Sequence, residues 1–295
     1  MPIIPTTPNT ANTAHKLEAL QGYLAALAPQ GLCVAFSGGV DSAVLLALAC
    51  QQSSRAVHAI TMHTPFHALS EPEAARRLAE EFGAVHTVLH LEELDPVLLN
   101  NPIDRCYLCK KWIFAQMQSH AAAQGLSVVL DGTNADDLGE YRPGLQALAE
   151  LGIKSPLAEL GITKAEVRAM AEELGVSVAK KPSAPCLATR FPYNTPIPLP
   201  RLGDIDALER FIRALGCEVV RVRVYGDTLR LEVAVEKMSL LLAKREQVVQ
   251  KAHAMGFLYV TMDLEGFRSG SMDIPLKENP LLENGTPAQK AAGIA

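Results

Sequence analysis

The sequence is short of the features that mark several common protein classes. It has six cysteines in 295 residues. That is too few for a disulfide scaffold, so in a reducing compartment any clustered cysteines read as metal-binding or catalytic. Long apolar runs are missing: the longest clean one near the start is Val44–Cys50, far below the roughly 20 residues that span a bilayer. Met1–Lys16 is rich in Pro, Thr and Asn and has no apolar h-region, so no membrane association and a cytoplasmic location are expected. Positive charge is not in excess. Lys and Arg number 27 against 32 Asp and Glu, a net charge of −5, which argues against a protein that wraps DNA or RNA through general basicity. No internal repeat and no long low-complexity tract appear.

A large core is within reach, since 48% of residues are hydrophobic and 20% charged. The charge is uneven. Residues 1–180 hold 12 Lys/Arg and 19 Asp/Glu, whereas residues 181–295 hold 15 and 13. The second half is therefore the better place to receive an anion.

Apolar periodicity predicts a helix at Thr13–Leu27, a strand at Leu32–Phe36, a helix at Ser42–Gln52 and a strand at Ala56–Met62. A helix at Glu71–Phe82, a strand at Val85–His90, a helix at Cys106–Gln124 and a strand at Ser127–Leu130 follow. This alternation is the signature of βαβ units and a parallel sheet, an α/β fold. Thr163 and Glu166 form a capping box for a helix that Gly175 closes. Six prolines between Pro182 and Pro200 make that stretch irregular. The expected organisation is a domain over 1–180, a Pro-rich connection over 181–200, a small α+β domain over 201–277 and a disordered tail over 278–295. In the small domain a helix is expected at Asp204–Leu215, strands at Glu218–Tyr225 and Thr228–Val235, a helix at Ser239–Met255 and a strand at Phe257–Leu264.

Gly226-Asp227 suits a two-residue type II′ turn. The implied register pairs Arg221 with Glu232 and Arg223 with Arg230. One face then carries Val220, Val222, Val224, Leu229, Leu231 and Val233, and the other carries three arginines and a carboxylate. That second face reads either as a solvated surface or, through Arg221 and Arg223, as a fork for phosphate or carboxylate.

The strongest motif is Ser37-Gly38-Gly39-Val40-Asp41-Ser42, between a buried strand and a helix. The glycines let backbone N–H groups approach a ligand, the helix N-terminus favours negative charge, and the two serines add hydroxyls, so the segment is an anion cradle. No Lys-Ser/Thr follows the glycines, so it is not a Walker A loop. Asp131-Gly132-Thr133-Asn134-Ala135-Asp136-Asp137 sits at the end of another strand, on the edge where ligands of open α/β sheets collect. Cys106 and Cys109 form C-x-x-C at a helix start beside Arg105, Lys110 and Lys111. Cys186 lies in the Pro-rich stretch near Lys180, Lys181 and Arg190; these settings favour thiolates. A second C-x-x-C for a four-cysteine zinc site is missing, but three cysteines suffice for a cubane cluster with one open iron. Cys33, Cys50 and Cys217 read as packing residues, and His58, His63, His86 and His90 as structural.

SGGVDS resembles the pyrophosphatase loop of the N-type ATP pyrophosphatases. Several segments taken with it are similar to the LarE family of ATP-dependent sulfur transferases, which help to build the nickel-pincer nucleotide cofactor. They are Asn101–Lys110, Asp131–Asp137, Asp137–Gly144 with Tyr141-Arg142-Pro143-Gly144, Lys181–Arg190, Arg221-Val222-Arg223 and Asp263–Ser271. The resemblance runs from about residue 14 to 275. It implies an N-type ATP pyrophosphatase domain followed by the small α+β domain, with the reaction site between them. It also implies ATP with Mg²⁺ on Ser37, Gly38, Gly39, Asp41, Ser42 and Gly132, adenylation of a pyridinium dicarboxylate mononucleotide, and displacement of AMP by a protein-borne sulfur. Arg221 and Arg223 match positions that bind substrate phosphate. Glu209 and Glu232 match carboxylates of a divalent metal, with Glu236 a nearby third; Glu209, beside the apolar stripe Ile205, Leu208, Ile212 and Leu215, also reads as a surface charge. The sulfur comes either sacrificially from Cys186 or from a [4Fe-4S] cluster on Cys106, Cys109 and Cys186; all three being present favours the cluster. A homo-oligomer and other nickel-pincer pathway proteins are the implied partners. The rivals are a tRNA-thiolating enzyme, which needs a basic surface or further C-x-x-C pairs, an ammonia-using ligase of the NAD or GMP synthetase type, and a nucleotide-binding or iron–sulfur carrier without turnover.

Overall fold

The computed structural model describes residues 10–67, 71–139, 143–178 and 186–274. The expected tail, Tyr141-Arg142 and Lys181–Pro185 lie outside the described residues. The chain divides into two compact units. Within the described residues the first comprises 10–64, 71–92 and 106–178, and the second 65–67, 93–105 and 186–274.

The first unit runs α1 (Thr10–Leu27), β1 (Leu32–Ala35), α2 (Val40–Gln52), β2 (His58–His63), α3 (Glu71–Glu81) and β3 (Val85–His90). The second unit contributes the short α4 (Pro96–Leu99). Then come α5 (Arg105–Ala123), β4 (Val128–Leu130), α6 (Gly144–Glu150), α7 (Pro156–Glu159) and α8 (Lys164–Glu173). The four strands form a parallel sheet in the order β3-β2-β1-β4. Because β1 is central, its side chains are covered on both faces. Leu32 and Val34 point to a core with α1, α2, α3 and α8, while Cys33 points to the opposite core with Phe114, Met117 and Ala121 of α5. Helix α2 is apolar nearly all round, and every residue from Ala43 to Ala49 is buried. Such a helix is held by burial rather than by an amphipathic stripe, and it anchors the turn that precedes it.

Boundaries in this unit fall within three residues of those expected from periodicity. The capping box is formed: Thr163 N–H donates to Glu166 Oε2 at 2.8 Å and Glu166 N–H to Thr163 Oγ1 at 3.3 Å. At the far end Val176 N–H donates back to Ala171 O at 2.8 Å, closing α8 around Gly175.

The second unit contains α9 (Leu199–Ala214), β5 (Val220–Tyr225), β6 (Thr228–Val233), α10 (Met238–Ala243), α11 (Arg245–Ala254) and β7 (Tyr259–Met262). The hairpin register is as expected, with Arg221 opposite Glu232 and Arg223 opposite Arg230. Gly226 has φ +59 and Asp227 has no positive φ, the signature of II′ rather than I′. Strand β7 adds parallel to β6. Two expectations differ. Helix α9 starts at Leu199, five residues early, because Pro200 falls in the first turn, where no N–H is needed. The single helix expected over 239–255 is two helices that meet at Lys244. Neither Gly nor Pro marks that break, and we have no physical account of it. No helix of the described residues is long and apolar enough to cross a membrane.

Thr163→Ala removes one half of the capping box. It should lower stability by about 1 kcal/mol, read as a shift in the urea midpoint with unchanged slope; an unchanged midpoint would show that Glu166 holds the helix start alone.

Candidate functional site

In the first unit the SGGVDS turn leaves the carboxyl end of β1 and becomes the N-terminus of α2. Gly38 has φ +69, and a Cβ there would stand 3.3 Å from the Ala75 Cβ of α3. The turn is stitched by its own serines. Ser42 Oγ accepts from Ser37 N–H at 3.3 Å and donates to Gly39 O at 3.1 Å, while Gly39 N–H donates to Ser37 Oγ at 3.3 Å. Gly132, one residue beyond Asp131 at the end of β4, makes the closest approach. A Cβ on it would lie 3.0 Å from Ser42 N and 3.3 Å from Asp41 Cβ. Glycine is therefore required where the second strand end abuts the loop.

Asp41 joins these parts. Its Oδ1 accepts from Asn134 Nδ2 at 3.2 Å, and its Oδ2 is paired with Lys164 Nζ. Lys164 opens α8, and its N–H donates to Asp136 Oδ2 at 2.9 Å. Asp131 accepts from Thr133 N–H and Ser155 Oγ, both at 2.9 Å. The DGTNADD segment thus braces the loop and supplies Asn134. Sequence reasoning missed Lys164. Its signal was its place directly after the capping threonine, on a helix whose start faces the DGTNADD segment.

Gly132→Ala tests the close approach. A methyl group there must push Ser42 N or β4, and overpacking of this kind costs about 1–3 kcal/mol. We expect a stability loss in that range together with at least a tenfold loss of ATP binding, measured by calorimetry; full ATP affinity would show that the loop tolerates displacement.

In the second unit the polar face of the hairpin is neither solvated nor a bare arginine fork. It is an ion-pair network. Arg190, 2% exposed, donates through Nε and Nη2 to Glu209 Oε1 and Oε2 at 2.7 and 2.9 Å. Glu209, 1% exposed, also accepts from Arg213 Nη2 at 2.8 Å and Val222 N–H at 3.0 Å. Its alternative reading as a surface charge is overturned; Arg190 draws it inward. Arg223 donates to Glu232 at 3.1 and 2.9 Å, to Ser271 Oγ at 2.8 Å and to Thr189 O at 2.7 Å. Arg230 Nη2 donates to Glu232 Oε1 at 2.9 Å.

Arg221 differs from these arginines: among the described residues it has no carboxylate within ion-pair reach. It stacks over the Phe267 ring at 5.1 Å and donates to Val220 O at 2.7 Å. Burial lowers its pKa to about 10, helped by the like charges of Arg190, Arg223 and Arg213 and opposed by Glu209. Four arginines pair with the two fully buried carboxylates, Arg230 also reaches Asp263 at 3.5 Å, and Arg221 adds a fifth cation, so the surplus is positive and suits an anion.

For Glu209, burial opposes the charged form, but the hydrogen bond and charge of Arg190, with Val222 N–H and Arg221, hold the carboxyl below its ordinary range. A depressed folded-state pKa stabilises the fold above the ordinary carboxylate range, and the contribution is lost as pH falls through the depressed value. Breaking such a buried pair costs about 3–5 kcal/mol. Glu209→Gln should therefore be less stable by about that much at pH 7 and should lose less than the parent on acidification to pH 3. Parallel urea curves at both pH values check this; equal losses would remove Glu209 from the acid response.

Cys186 caps the turn Leu187–Arg190, and its carbonyl accepts from Thr189 N–H at 3.1 Å, Thr189 Oγ1 at 2.8 Å and Arg190 Nη1 at 3.3 Å. Cys106 and Cys109 lie in the first turns of α5, Cys106 exposed and Cys109 half-buried, like Cys186. Cys33 and Cys217 are buried, and Cys50 is half-buried against the main core. Burial pushes the Cys33 and Cys50 thiols up to about 12 and about 11, as befits packing residues. Burial also holds His58, His63 and His86 below the usual histidine range; His120 adds for His58 and His90 for His63, while for His86 Glu80 opposes and Arg76 adds.

The donor chemistry can be tested against the implied groups. Cys106, Cys109 and Cys186 are of the donor type that a cluster with one open iron takes, but among the described residues they are not gathered as metal ligands. Asp41, beside the anion cradle, is a carboxylate of the kind that Mg²⁺ carried by a nucleotide takes, with its two oxygens now accepting from Asn134 and Lys164. Glu209 and Glu232 do not form a ready divalent-cation site, since every oxygen of both accepts from an arginine. Glu236 does not join them in a ligand cluster: among the described residues no three His, Cys, Asp or Glu gather as metal ligands.

Residues 24–148 match the asparagine synthase family. A protein of Synechocystis sp. described as uncharacterized is 38% identical over 261 residues, 88% of this chain and 97% of its own. The pyridinium-3,5-bisthiocarboxylic acid mononucleotide synthase of Lactiplantibacillus plantarum is 37% identical over 254 residues, 85% of this chain and 92% of its own. An uncharacterized protein of Methanocaldococcus jannaschii is 33% identical over 238 residues, 81% and 91% of the two chains. A pyrophosphatase loop at the carboxyl edge of a parallel sheet, together with a full-length relationship of this strength, means that the chain belongs to the LarE family and is an ATP-dependent sulfur transferase of the N-type ATP pyrophosphatase fold.

Proposed function

We propose that this enzyme adenylates a carboxylate of a pyridinium dicarboxylate mononucleotide and converts it to a thiocarboxylate in nickel-pincer cofactor synthesis. The observation that carries the reading is the attachment of the Cys186 turn to the cationic sheet. Arg190 donates to Cys186 O and Arg223 to Thr189 O, so the thiol-bearing turn rests on the arginine cluster that includes Arg221. A mononucleotide phosphate on Arg221 and Arg223 would lie beside the sulfur. Arg223 meets such a phosphate with a guanidinium already oriented by Glu232 and Ser271, and Arg221 meets it with no carboxylate of the described residues in ion-pair reach.

In the first step a substrate carboxylate oxygen attacks the α-phosphorus of ATP, the bond to the β-phosphate oxygen breaks, and pyrophosphate leaves. The loop N–H groups, Ser37, Ser42 and the α2 N-terminus receive the pyrophosphate charge. Asp41 would hold the accompanying Mg²⁺. Lys164, paired with Asp41, supplies a cation at the same place and would meet phosphate charge there. The rate comes from positioning and from electrostatic stabilisation of the developing charge.

In the second step a sulfur nucleophile attacks the acyl carbon and AMP departs. When Cys186 is the donor, its thiolate forms a thioester, and elimination across its Cα–Cβ bond releases the thiocarboxylate and leaves dehydroalanine. A [4Fe-4S] cluster on Cys106, Cys109 and Cys186 would supply an extra sulfide at its open iron and spare the protein. Because the chain carries all three thiols, the cluster is the favoured source. The same resemblance carries the homo-oligomer and the pathway partners.

The test is anaerobic purification with iron and acid-labile sulfide measured per chain, Cys106→Ala serving as control. About four irons, lost in the variant, are expected for the cluster. Absence of iron after reconstitution, with Cys186 converted to dehydroalanine on turnover, assigns the sacrificial route. The reading fails if the pyridinium substrate elicits no pyrophosphate from ATP, or if Cys186→Ala forms thiocarboxylate at the parental rate.

A further inference from the structure

Asn101 and Arg105 are buried polar residues that neither the phosphate cradle nor the arginine cluster uses; they are 0% and 2% exposed. Asn101 holds the left-handed conformation at φ +53, which favours glycine and, less strongly, asparagine. Its side-chain amide donates to two successive carbonyls, Phe191 O at 3.0 Å and Pro192 O at 2.7 Å. Its own carbonyl accepts from Asn194 N–H at 2.8 Å, and two residues earlier Leu99 O accepts from Ile197 N–H at 2.7 Å. The Asn101 side-chain oxygen is taken by Arg105 Nη1, which also reaches Ala188 O at 3.4 Å. The Arg105 guanidinium lies 5.5 Å from the centre of the Tyr193 ring, and Tyr193 Oη donates to Asp273 Oδ1 at 2.9 Å.

These contacts converge on one short stretch, 188–197, which begins two residues after Cys186. That stretch is irregular and proline-rich, so it has no ladder of its own to hold it. Asn101 and Arg105 replace the missing ladder. Loss of the bond to Phe191 O leaves a buried carbonyl short of its donor, whereas Pro192 O also accepts from Thr195 Oγ1 at 2.6 Å. On the other side the turn is gripped by Arg190 and Arg223. The stretch that follows Cys186 is therefore held on one side by Asn101, 90 residues before Phe191, and on the other by Arg223.

We propose that Asn101 and Arg105 are positioning residues for sulfur transfer: they latch the segment that follows Cys186, so that its thiol is presented in one place once the substrate is adenylated. The latch rests on the reading of Cys186 as the sulfur-handling residue. It acts on the second half of the reaction and leaves pyrophosphate formation alone. Misplacement of a reacting group by about 1 Å can cost on the order of 100-fold in rate, so loosening the latch should uncouple the two halves.

The experiment uses the full-length protein with Asn101→Ala, Arg105→Met and Arg105→Lys. Three quantities are read on each: substrate-dependent pyrophosphate release, thiocarboxylate formed per pyrophosphate, and amide hydrogen exchange over 188–197. A positioning role predicts pyrophosphate release within about twofold of the parent, a fall of about tenfold or more in thiocarboxylate per pyrophosphate, and faster exchange confined to that stretch. Arg105→Lys, which keeps the charge and an N–H donor group, should recover part of the ratio lost in Arg105→Met. A merely structural role would lower both products together and leave the ratio at the parental value, which overturns the latch. Unchanged exchange over 188–197 in Asn101→Ala overturns it as well. Should the parent itself release no pyrophosphate, the functional reading falls, while the exchange data still decide whether the latch exists.

Discussion

The buried pair of Arg190 and Glu209 is the interaction on which the second unit turns. Two charges this far from water are tolerated only when each is fully used. Glu209 meets that condition by taking both arms of Arg190, a third bond from Arg213 and a backbone N–H of β5. One carboxylate therefore fixes helix α9 against the hairpin and aims Arg190 at the carbonyl of Cys186. With Glu209 neutral or absent, Arg190 would be an uncompensated cation in the core, beside an Arg221 that is already crowded by like charges. Stability and the placing of the thiol turn have the same source.

The first unit solves its problem by shape. A parallel sheet presents all its strand ends on one edge, and the central strand feeds a helix that burial alone holds in place. The anion cradle then needs only glycines where atoms crowd and serines where the turn must be tied. The acidic segment after β4 closes the loop from the side and meets it through Asp41. The nearby cation Lys164 is attached by its backbone to that same segment. Charge and counter-charge are thus set by two helix starts and one strand end, all short-range consequences of the βαβ order.

Much of this could be read from residues alone because it depends on local rules. The period of apolar residues gives the parallel sheet, Thr163 and Glu166 announce α8, and Gly226-Asp227 sets a register in which every cross-strand partner is right. What could not be read depends on long-range charge matching. Periodicity places Glu209 beside an apolar stripe, but no local rule says that Arg190 waits for it across the turn. Alternation puts three arginines on one face, but only burial shows that two of them are committed to Glu232. Asn101 and Arg105 stood in a motif quoted for its cysteines, and their purpose depends on carbonyls about 90 residues downstream. The early start of α9 depends on where Pro200 falls, since a proline in the first turn opens a helix rather than breaking it.

The interleaving of the two units bears on how the protein is made. Asn101 leaves the ribosome with its first unit still lacking α5, β4 and α8, and its partners Phe191 and Pro192 follow after a further 90 residues or so of synthesis. At roughly 5–20 residues per second that is a wait on the order of 5–20 seconds, with an asparagine and an arginine destined for the core still in water. The second unit cannot close until most of the first has been translated. A chain cut at the Pro-rich connection would yield a carboxyl-terminal piece missing a buried part of its own interior.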